Sequence, residues 1–542
     1  MAAAPVEPIV ALSTSLRRFY PQSTVYPCSE LSIDAARGEK VSFQVVVRTQ
    51  DEASEIEVTV QPLAGVVSRT RRVGYVSVKH LNTHTPRSEL EGAEFIPGLA
   101  PDPLFPECKY TAGAWETNAF WVNLTPDTSI APGDYRVPIE VRVGDSFVSY
   151  CVVNLTVHRA VLGERAGFPV THWFYCDALS DWYRLKPFEE SFWPILEMYV
   201  ANLVEHGNDV MHTPIFTPST DGVKKPTQLV RVRKDGDRYV FEWSLVKRFV
   251  EMAKACGVQA FEWAHFFTQW GCRSAIRIYE GEPEDEKLLW PPETPATSPV
   301  YRGFLEQFLP ELKAFLREEG ILEASYFHIS DEPHGDEALE NYRTARQMMR
   351  ELAPWMKFMD ALSQLSFALE GLVDLPIPIL DEAPAFVAAG FPAWCYFCGG
   401  PRGDYLNRLI DTPLVKIRMS GWLFYRLGSR GFLHWGYNYW HRSQTRELID
   451  PYTEQSGDSW PGWSYGDTFV VYPGPDGPID SIRWESFAES LQDFTLLRLA
   501  GVSREDPFLS GIEDYASFPK SEDWILSARR SLLARLDAIT EP

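Results

Sequence analysis

Two carboxylates stand side by side at the end of an apolar segment of this 542-residue chain. Asp331 and Glu332 follow the run "ASYFHIS", residues 324–330, and Pro333 comes directly after them. Successive side chains of a strand point to opposite faces, so neighbouring acids on a regular strand do not reach one bound molecule together. If the chain bends at Pro333, both carboxylates can serve one cavity.

Two adjacent acids suit a bond cleavage in which each has a different task. A carboxylic acid can protonate a leaving oxygen, as in the hydrolysis of a glycosidic bond. Most retaining glycosidases place a second carboxylate about 5 Å away as nucleophile. In the substrate-assisted exceptions, the 2-acetamido oxygen of the sugar attacks instead. Asp331 would then orient the acetamido group, and Glu332 would be the general acid and base.

The same residues also fit a structural interpretation. Pro333 would begin a helix, and Ser330 or Asp331 would cap it. Glu332 would then complement the helix dipole from the surface. The spacing alone leaves both interpretations open.

The elements that must position these acids follow a second pattern after about residue 165, where short apolar strands alternate with amphipathic helices. That alternation is typical of a parallel α/β fold. Phe304, Phe308, Leu312 and Phe315, for example, form one helical stripe that ends before Gly320. Eight such units predict a (β/α)8 TIM-like barrel. The predicted strands are 168–175, 208–213, 259–266, 323–330, 356–361, 377–380, 393–398 and 431–437.

The first 160 residues instead alternate apolar and polar side chains with a period of two, as in "EKVSFQVVVRT". This pattern predicts an N-terminal antiparallel β-sandwich, so the chain is multidomain. Two amphipathic helices, 484–500 and 521–539, follow the last predicted strand. We predict a β-sandwich domain over residues 1–162, a catalytic barrel over 163–502 and a C-terminal helical segment over 503–542.

Segment 81–115 is long, proline-rich and irregular in sequence. Loops of that length are uncommon unless they are functional, so we expect this one to reach over the active site. Arg87 and Asp102 are its candidate contacts.

Barrel enzymes carry their active-site residues at the carboxyl ends of the strands. Aromatic rings, acids and neutral polar groups all stand at those ends in this sequence. Rings stack on the apolar faces of sugars and polar groups bond the hydroxyls, so the rim predicts a carbohydrate site. The rim residues are His172, Trp173, Tyr175, His212, Trp263, His265, Asp331, Glu332, Asp360, Trp394, Tyr396, His434, Trp435, Tyr437, Asn438, Tyr439 and Trp440.

The composition excludes several classes of partner. The net charge of −23 disfavours nucleic acid and anionic membranes, which need patches of Lys and Arg. No apolar run reaches the 18 residues of a membrane span. The first residues lack a signal-peptide pattern, so we expect a cytoplasmic location, or secretion with a signal peptide that this sequence does not include. Cys395 and Cys398 lack the context of a zinc or redox motif and fit an aromatic strand.

Several segments together resemble glycoside hydrolase family 123 and its close relatives. They are "RGEKVSFQVVVR" and "APGDYRVPIEV" in the sandwich, "HISDEPH" at the fourth barrel strand, "GFLHWGYNYW" at the eighth, and "GDTFVVYPGPDGPIDSIRWESFAESLQDF" beyond it. The resemblance spans most of the chain.

The resemblance implies a β-sandwich followed by a (β/α)8 catalytic domain. It implies a retaining exo-β-N-acetylgalactosaminidase that forms an oxazolinium intermediate from terminal β-GalNAc. The family's acid pair falls on Asp331, which stabilises the acetamido nitrogen, and on Glu332, the general acid and base. The expected partner is a β-GalNAc-containing glycan or glycoside, without a cofactor.

Further residues are candidates for binding the sugar, although each also fits a buried structural role. Tyr396 is a candidate for the acetamido oxygen, and one of Trp394, Trp435 and Trp440 for the wall of the acetamido pocket. Asn438 and Asp467 could bond the hydroxyls that separate galacto from gluco sugars. The remaining candidates are His212, His265 and Trp263.

Three other groups are expected to be structural. A metal site built from His172, His212 and His265 lacks any supporting motif, so no metal is predicted. Asp360 is expected behind the residues that touch the sugar. Arg483 and Glu485 are expected to pair with each other.

Three classes of function therefore stay open. The first is a substrate-assisted β-N-acetylhexosaminidase that prefers GalNAc. The second is a glycosidase of other sugar specificity with its nucleophile on a different strand, for example Asp360. The third is a non-catalytic carbohydrate-binding protein whose acids only cap a helix.

Overall fold

The computed structural model describes residues 7–218, 224–282 and 286–539. Its N-terminal part consists of two five-stranded sheets. The strands are β1 Ile9–Thr14, β2 Glu30–Arg37, β3 Val41–Arg48, β4 Ser54–Val60, β5 Val66–Val78, β6 Gly98–Phe105, β7 Lys109–Ala112, β8 Thr117–Pro126, β9 Gly133–Val143 and β10 Phe147–Val161.

The two sheets have the orders β1-β3-β8-β5-β6 and β2-β10-β9-β4-β7. Their neighbours pair antiparallel, as predicted, except that β2 runs parallel to β10. The period-two prediction for β3 is confirmed, because Val41, Phe43 and Val45 face the core between the sheets. Val46 and Trp121 of the same sheet instead join the core of the C-terminal part. This sheet is therefore buried on both faces and joins the two parts of the molecule.

The expectation of one irregular loop over residues 81–115 is wrong, since this segment contains β6 and β7. Pro101 and Pro103 do not prevent the strand because β6 lies at the edge of its sheet. Asp102 of β6 is fully buried and bonds Arg483 with both oxygens at 2.9 Å. Arg87 is exposed. Neither residue reaches the site described below.

The C-terminal part contains further strands, most of them short. They are β11 Val170–His172, β12 Val210–Thr213, β13 Arg231–Asp235, β14 Arg238–Glu242, β15 Ala260–Trp263, β16 Tyr279–Glu280, β17 Lys287–Leu288, β18 Ser325–Tyr326, β19 Met359–Leu362, β20 Leu375–Pro378, β21 Cys395–Tyr396, β22 Phe432–His434, β23 Val471–Pro473 and β24 Pro478–Asp480.

Each of the eight predicted barrel segments overlaps one of these strands. Seven of the strands are shorter than predicted, whereas β20 has the predicted length but begins two residues earlier. One sheet has the order β18-β15-β12-β11-β22-β21 with parallel pairs, and β19 pairs in parallel with β20. Parallel bridges join Phe327 to Phe358 and Ile379 to Tyr396, and so link the two sheets. The carboxyl ends of the eight strands therefore lie on one side.

Helices connect many of these strands. They are α1 Cys176–Tyr183, α2 Trp193–Glu205, α3 Ser244–Ala255, α4 Pro299–Glu318, α5 Gly335–Leu352, α6 Ser366–Leu369, α7 Ala383–Ala388, α8 Leu414–Arg418, α9 Ser420–Leu427, α10 Ile482–Leu499 and α11 Glu522–Ile539. The predicted stripe of α4 is confirmed, because Phe304, Phe308, Leu312 and Phe315 are all buried. None of the described helices is long and apolar enough to cross a membrane.

Helix α10 is buried on nearly all sides, whereas its sequence predicts an amphipathic surface helix. Two of its charged residues are paired with the sandwich. Arg483 bonds Asp102, and Glu485 bonds Arg71 of β5 at 2.7 Å. The predicted pair between Arg483 and Glu485 is therefore wrong, because each charge has its partner on another element.

Candidate active site

A cleft of about 410 Å³ opens at the carboxyl ends of the parallel strands. Its size is in the range of sites that bind small molecules. Its residues come from strands β19, β21 and β22, from segments that follow β11, β15, β18, β21 and β22, and from the loop before β23. The cleft is lined by Trp173, Gln269, Trp270, Asp331, Glu332, Ala361, Tyr396, Cys398, Gly399, Gly400, Arg402, Leu433, Trp435, Gly462, Trp463 and Asp467.

Asp331 and Glu332 both line this cleft. The chain turns at Glu332 itself, where φ is +40°, and not only at Pro333 as expected. A left-handed conformation is costly for a residue with a Cβ, and such strain clusters at functional sites. Here the left-handed conformation of Glu332 interrupts the strand, so the two carboxylates do not point to opposite faces as they would on a regular strand. The backbone carbonyl of Asp331 also accepts a 2.8 Å bond from the Trp270 N–H.

The structural interpretation of the pair is wrong in its details. Helix α5 begins at Gly335, not at Pro333, and its N-cap is His334. No side chain caps it there. The acids therefore precede the helix without stabilising its first turn.

Tyr396 lies directly against the acid pair. Its hydroxyl donates a 2.5 Å hydrogen bond to Oε1 of Glu332. Burial raises the pKa of this phenol well above its usual value, and the charges of Glu332 and Asp331 raise it further. Tyr396 is therefore a neutral hydrogen-bond donor at every physiological pH.

Asp467 is a buried acid of the cleft, and only one of its two carboxylate oxygens accepts a hydrogen bond from a described residue. Its Oδ2 accepts a 3.2 Å bond from the Trp435 indole N–H. Its Oδ1 has no hydrogen bond among the described residues, with His434 Nε2 at 3.7 Å. Burial raises the pKa of Asp467 to about 7. Asp467 lines the cleft, where its carboxylate is a candidate acceptor for a ligand hydroxyl, although Oδ1 itself is buried.

Below the cleft, buried polar residues hold Trp173 in place. Its indole N–H donates to Oε1 of Glu262 at 2.6 Å, and Thr171 donates to the other oxygen. Glu262 also bonds His328 Nε2 at 2.7 Å. Burial opposes the charge on His328, but its bonds to Asp360 and Glu262 raise its pKa to about 10. A protonated His328 between two carboxylates therefore fixes the orientation of Trp173.

Asp360 connects the same group to the acid pair. It bonds His328 Nδ1 at 3.0 Å and the backbone N–H of Ile329 at 3.2 Å, and it accepts a bond from the Tyr342 hydroxyl. Ile329 lies two residues before Asp331. Asp360 does not line the cleft. It therefore fixes the backbone that leads to the acids, which disfavours its role as a nucleophile.

Two candidates from the sequence are placed away from the cleft. Trp394 stands at the amino end of β21 and packs on Tyr326 and against Gly431, at the end of the strands opposite to the cleft. Asn438 bonds the backbone N–H and carbonyl of Tyr175 at 2.9 and 3.0 Å. Its amide is thus occupied in joining two chain segments.

Three more candidates lie below or outside the cleft. His212 stacks on Trp173 at 5.6 Å between ring centroids, and His265 stacks on His328 at 4.3 Å. Burial lowers the pKa of both rings, His212 to about 4, so they are neutral. Trp263 follows Glu262, so its side chain falls on the other face of β15, where it bonds Ser325 at 3.0 Å.

Several cleft residues were not predicted from the sequence. Gln269, Trp270 and Trp463 lie in loops, where periodicity gives no signal. Arg402 lines the cleft and bonds the carbonyls of residues 399, 461 and 462 as well as Thr83 of the sandwich. Glu262, an acid inside an apolar strand, is the one signal that the sequence offered for the buried group.

Among the described residues, two groups have ligand atoms close enough for a metal ion: His265, His328 and Asp360, and His206, Asp480 and Glu485. In both groups a histidine already bonds the carboxylates. His172, considered above as a ligand, bonds Asn208 and Arg408. Hydrogen bonds and ion pairs therefore account for these residues except His265, whose ring nitrogens have no hydrogen-bond partner among the described residues.

Comparison with known proteins assigns the chain to a family. The model of the glycoside hydrolase 123 catalytic domain matches residues 173–500, more than half of the chain. A family 123 glycoside hydrolase from Clostridium perfringens, studied for glycolipid glycan hydrolysis, superposes with a TM-score of 0.75 at 14% identity over 98% of both chains. This likeness shows a shared fold.

Two further structural matches are much weaker. A GH5 xyloglucanase from Bacteroides ovatus has a TM-score of 0.32 at 8% identity, over 90% of this chain and 99% of that one. A GH10 xylanase from termite gut has a TM-score of 0.33 at 9% identity, over 86% and 100%. No curated protein matches. On the match to its catalytic domain, the chain belongs to glycoside hydrolase family 123 and is a glycoside hydrolase.

Proposed function

We propose that this enzyme removes terminal β-linked N-acetylgalactosamine from glycans, with retention of configuration and through an oxazolinium intermediate. Asp331 orients the 2-acetamido group and stabilises charge on its nitrogen. Glu332 protonates the leaving oxygen and then activates the incoming water. The acetamido oxygen of the substrate forms and later loses the bond to the anomeric carbon.

The observation that carries this proposal is the pair itself, two consecutive acids that line one cleft around a left-handed backbone turn. Consecutive residues suit two tasks at one sugar ring better than they suit a nucleophile and an acid on opposite sides of the scissile bond. Tyr396 supports the division of tasks, because it holds Glu332 through a single oxygen.

The rest of the cleft fits an N-acetylated galacto sugar. Trp173 and Trp435 supply apolar surface for the ring and the acetamido methyl. Asp467 offers a buried acceptor for one hydroxyl. The Clostridium relative acts on glycolipid glycans, so we include glycolipid-derived glycans among the candidate substrates.

We further propose the fold of the catalytic domain and the bounds of the domains. Strand β22 pairs with β11, and the pairs and bridges link the eight parallel strands in chain order, which supports a (β/α)8 barrel. We place the domains at 1–162, 163–502 and 503–542. Helix α11, in the last segment, contacts β2 and β10 of the sandwich, where Arg529 bonds Glu39 at 2.5 Å.

The test compares nitrophenyl β-glycosides of N-acetylgalactosamine, N-acetylglucosamine and galactose. We expect turnover of the N-acetylated sugars only, with N-acetylgalactosamine preferred, and inhibition by a thiazoline that mimics the cyclised intermediate. Glu332→Gln should lower kcat by about 10²- to 10⁴-fold on substrates with a poor leaving group. Asp331→Asn should be severe on every N-acetylated substrate.

Glu337→Gln, which changes an exposed acid in the first turn of α5, is the matched control and should retain full activity. Equal turnover of galactoside and N-acetylgalactosaminide would refute the substrate-assisted mechanism. Near wild-type turnover by Asp331→Asn would refute the orienting role.

A further inference from the structure

A second cavity of about 160 Å³ adjoins the catalytic cleft. The two share Gln269 and Trp270, so a ligand that leaves the cleft past Trp270 reaches the second cavity directly. We call it the basic cavity. It is lined by Thr217, Pro218, Lys224, Thr268, Gln269, Trp270, Arg277, Tyr279 and Gln444.

The charge of the basic cavity is opposite to that of the whole protein. Its described lining includes two cations, Lys224 and Arg277, and no acid, although the net charge of the chain is −23. Arg277 forms no ion pair with any of the described carboxylates. Lys224 has only a distant partner, Asp177 at 3.6 Å, which does not line the cavity, so a bound anion would be favoured by both cations.

Lys224 is the stronger of the two indications. Only 4% of this residue is exposed, and its ammonium has no hydrogen-bond acceptor among the described residues. The nearest carboxylate oxygen, Oδ2 of Asp177, is 3.6 Å away, and the ring of Tyr439 lies below the ammonium at 3.9 Å. A buried ammonium carries three N–H donors and is costly to leave without acceptors. An oxyanion in the cavity would supply them.

Trp270 connects this cavity to the chemistry. Its φ is +59°, a strained value for a large side chain, and 54% of the residue is exposed. The backbone N–H of Trp270 donates a 2.8 Å hydrogen bond to the backbone carbonyl of Asp331, which fixes Trp270 beside the acid pair. An exposed indole between the cleft and the basic cavity provides a surface for the sugar that follows the one being released.

We propose that the basic cavity is a subsite for an anionic group, a carboxylate or a sulfate ester, on the sugar next to the terminal one. This inference rests on the proposed function, since it places the terminal sugar in the catalytic cleft. Lys224 and Arg277 donate charge-assisted hydrogen bonds to the anion, and the indole of Trp270 packs on the ring that bears it. The enzyme would thus prefer acidic glycans over neutral ones.

The test uses disaccharides with the same terminal β-GalNAc and different neighbouring sugars. One pair compares glucuronic acid with glucose, and a second compares a sulfated with an unsulfated galactose. We expect kcat/KM to be about 10- to 100-fold higher for the anionic member of at least one pair. The two pairs tell a carboxylate from a sulfate as the preferred group.

Lys224→Met and Arg277→Gln should each remove most of that preference and leave kcat/KM on the neutral disaccharides unchanged. Activity on the neutral sugars also shows that each variant is folded, and Arg277→Gln covers the case in which the buried Lys224 cannot be replaced. Arg273→Gln, at an arginine that is exposed and paired with Glu337, is the matched control. It should keep the preference.

Equal rates on anionic and neutral sugars would overturn the inference, as would a preference that persists in both variants. Failure of the proposed function has a different signature, which is no hydrolysis of any of the four disaccharides. Binding of the same disaccharides to Glu332→Gln is measured by calorimetry in parallel, with and without Lys224→Met. If no disaccharide is hydrolysed, the subsite is still supported when an anionic disaccharide binds more tightly than its neutral counterpart and Lys224→Met removes that difference. Equal binding of the anionic and neutral disaccharides refutes the subsite.

Discussion

The substitution Asp467→Asn distinguishes two effects of this buried acid, its cost to the stability of the folded protein and its contribution to binding the sugar. In the protein, burial raises the pKa of this carboxyl from 3.8 to about 7. Between these two values the folded state binds a proton that the unfolded state has released, so stability falls as the pH rises from about 4 to 7. Above pH 7 the full cost of the buried charge is present.

The magnitude follows from the shift of about three pKa units. Each unit corresponds to roughly 1.4 kcal/mol, so ionised Asp467 destabilises the free protein by up to about 4 kcal/mol. Asparagine carries no charge, and its carbonyl can still accept the bond from Trp435. Asp467→Asn should therefore raise the melting temperature at pH 8 by a few degrees and change it little at pH 4.

Activity should change in the opposite direction. A hydrogen bond from a sugar hydroxyl to a charged acceptor exceeds one to a neutral acceptor by about 1–2 kcal/mol. Asp467→Asn should therefore lower kcat/KM at pH 8 by about 5- to 30-fold. Wild-type kcat/KM should decrease below about pH 7 as Asp467 takes up its proton, and that dependence should be absent in the variant.

The assays are thermal unfolding and kcat/KM on a β-GalNAc glycoside, both measured from pH 4 to 9. Asp458→Asn, an acid exposed on the preceding loop, is the control and should alter neither profile. The reasoning is refuted if Asp467→Asn loses stability at pH 8, or if the decrease near pH 7 persists in the variant with the same midpoint.

Three further predictions concern the neighbours of the acid pair. Tyr396→Phe removes the hydrogen bond to Glu332 and should lower kcat by about 10-fold or more, with little change in melting temperature. An unchanged kcat would contradict a role for Tyr396 at the acid. Glu262→Gln should raise KM more than it lowers kcat, because Glu262 holds the Trp173 indole but does not line the cleft. Tryptophan fluorescence reports the change in the environment of the indole. An unaltered KM would exclude this positioning role. Since the pKa of His328 is raised from 6.5 to about 10, its contribution to stability is complete below pH 6.5 and is lost as the pH rises through 10. Melting temperature should therefore fall steadily between pH 7 and 10, and His328→Gln should be less stable at pH 7 with a flatter alkaline profile.

The sequence predicted those features that depend on local patterns. Alternation with a period of two located the face of β3 that lies between the sheets, and alternating strands and helices located all eight parallel strands. Asp331, Glu332, Tyr396, Trp435 and Asp467 line the cleft as candidates taken from the sequence. They could be found because they stand at or beyond strand ends, or in segments that resemble the family.

Other features are set by contacts between distant parts of the chain. Trp394 directly precedes β21 and Tyr396 is its last residue, so the two stand at opposite ends of this two-residue strand. A rule that assigns both to the rim cannot separate them. Their spacing alone predicts that Arg483 and Glu485 pair, but the sandwich supplies Asp102 as the partner of Arg483 and Arg71 as the partner of Glu485.

The sequence by itself determined which residue types stand at the ends of which strands, since side-chain periodicity and turn residues are local properties of the chain. The tertiary structure alone decided that Glu332 has a left-handed backbone, that Glu262 and His328 lie beneath Trp173, and that Lys224 and Arg277 line one cavity. Each of these depends on segments many residues apart that meet only when the core is packed. No pattern within one segment carries that information.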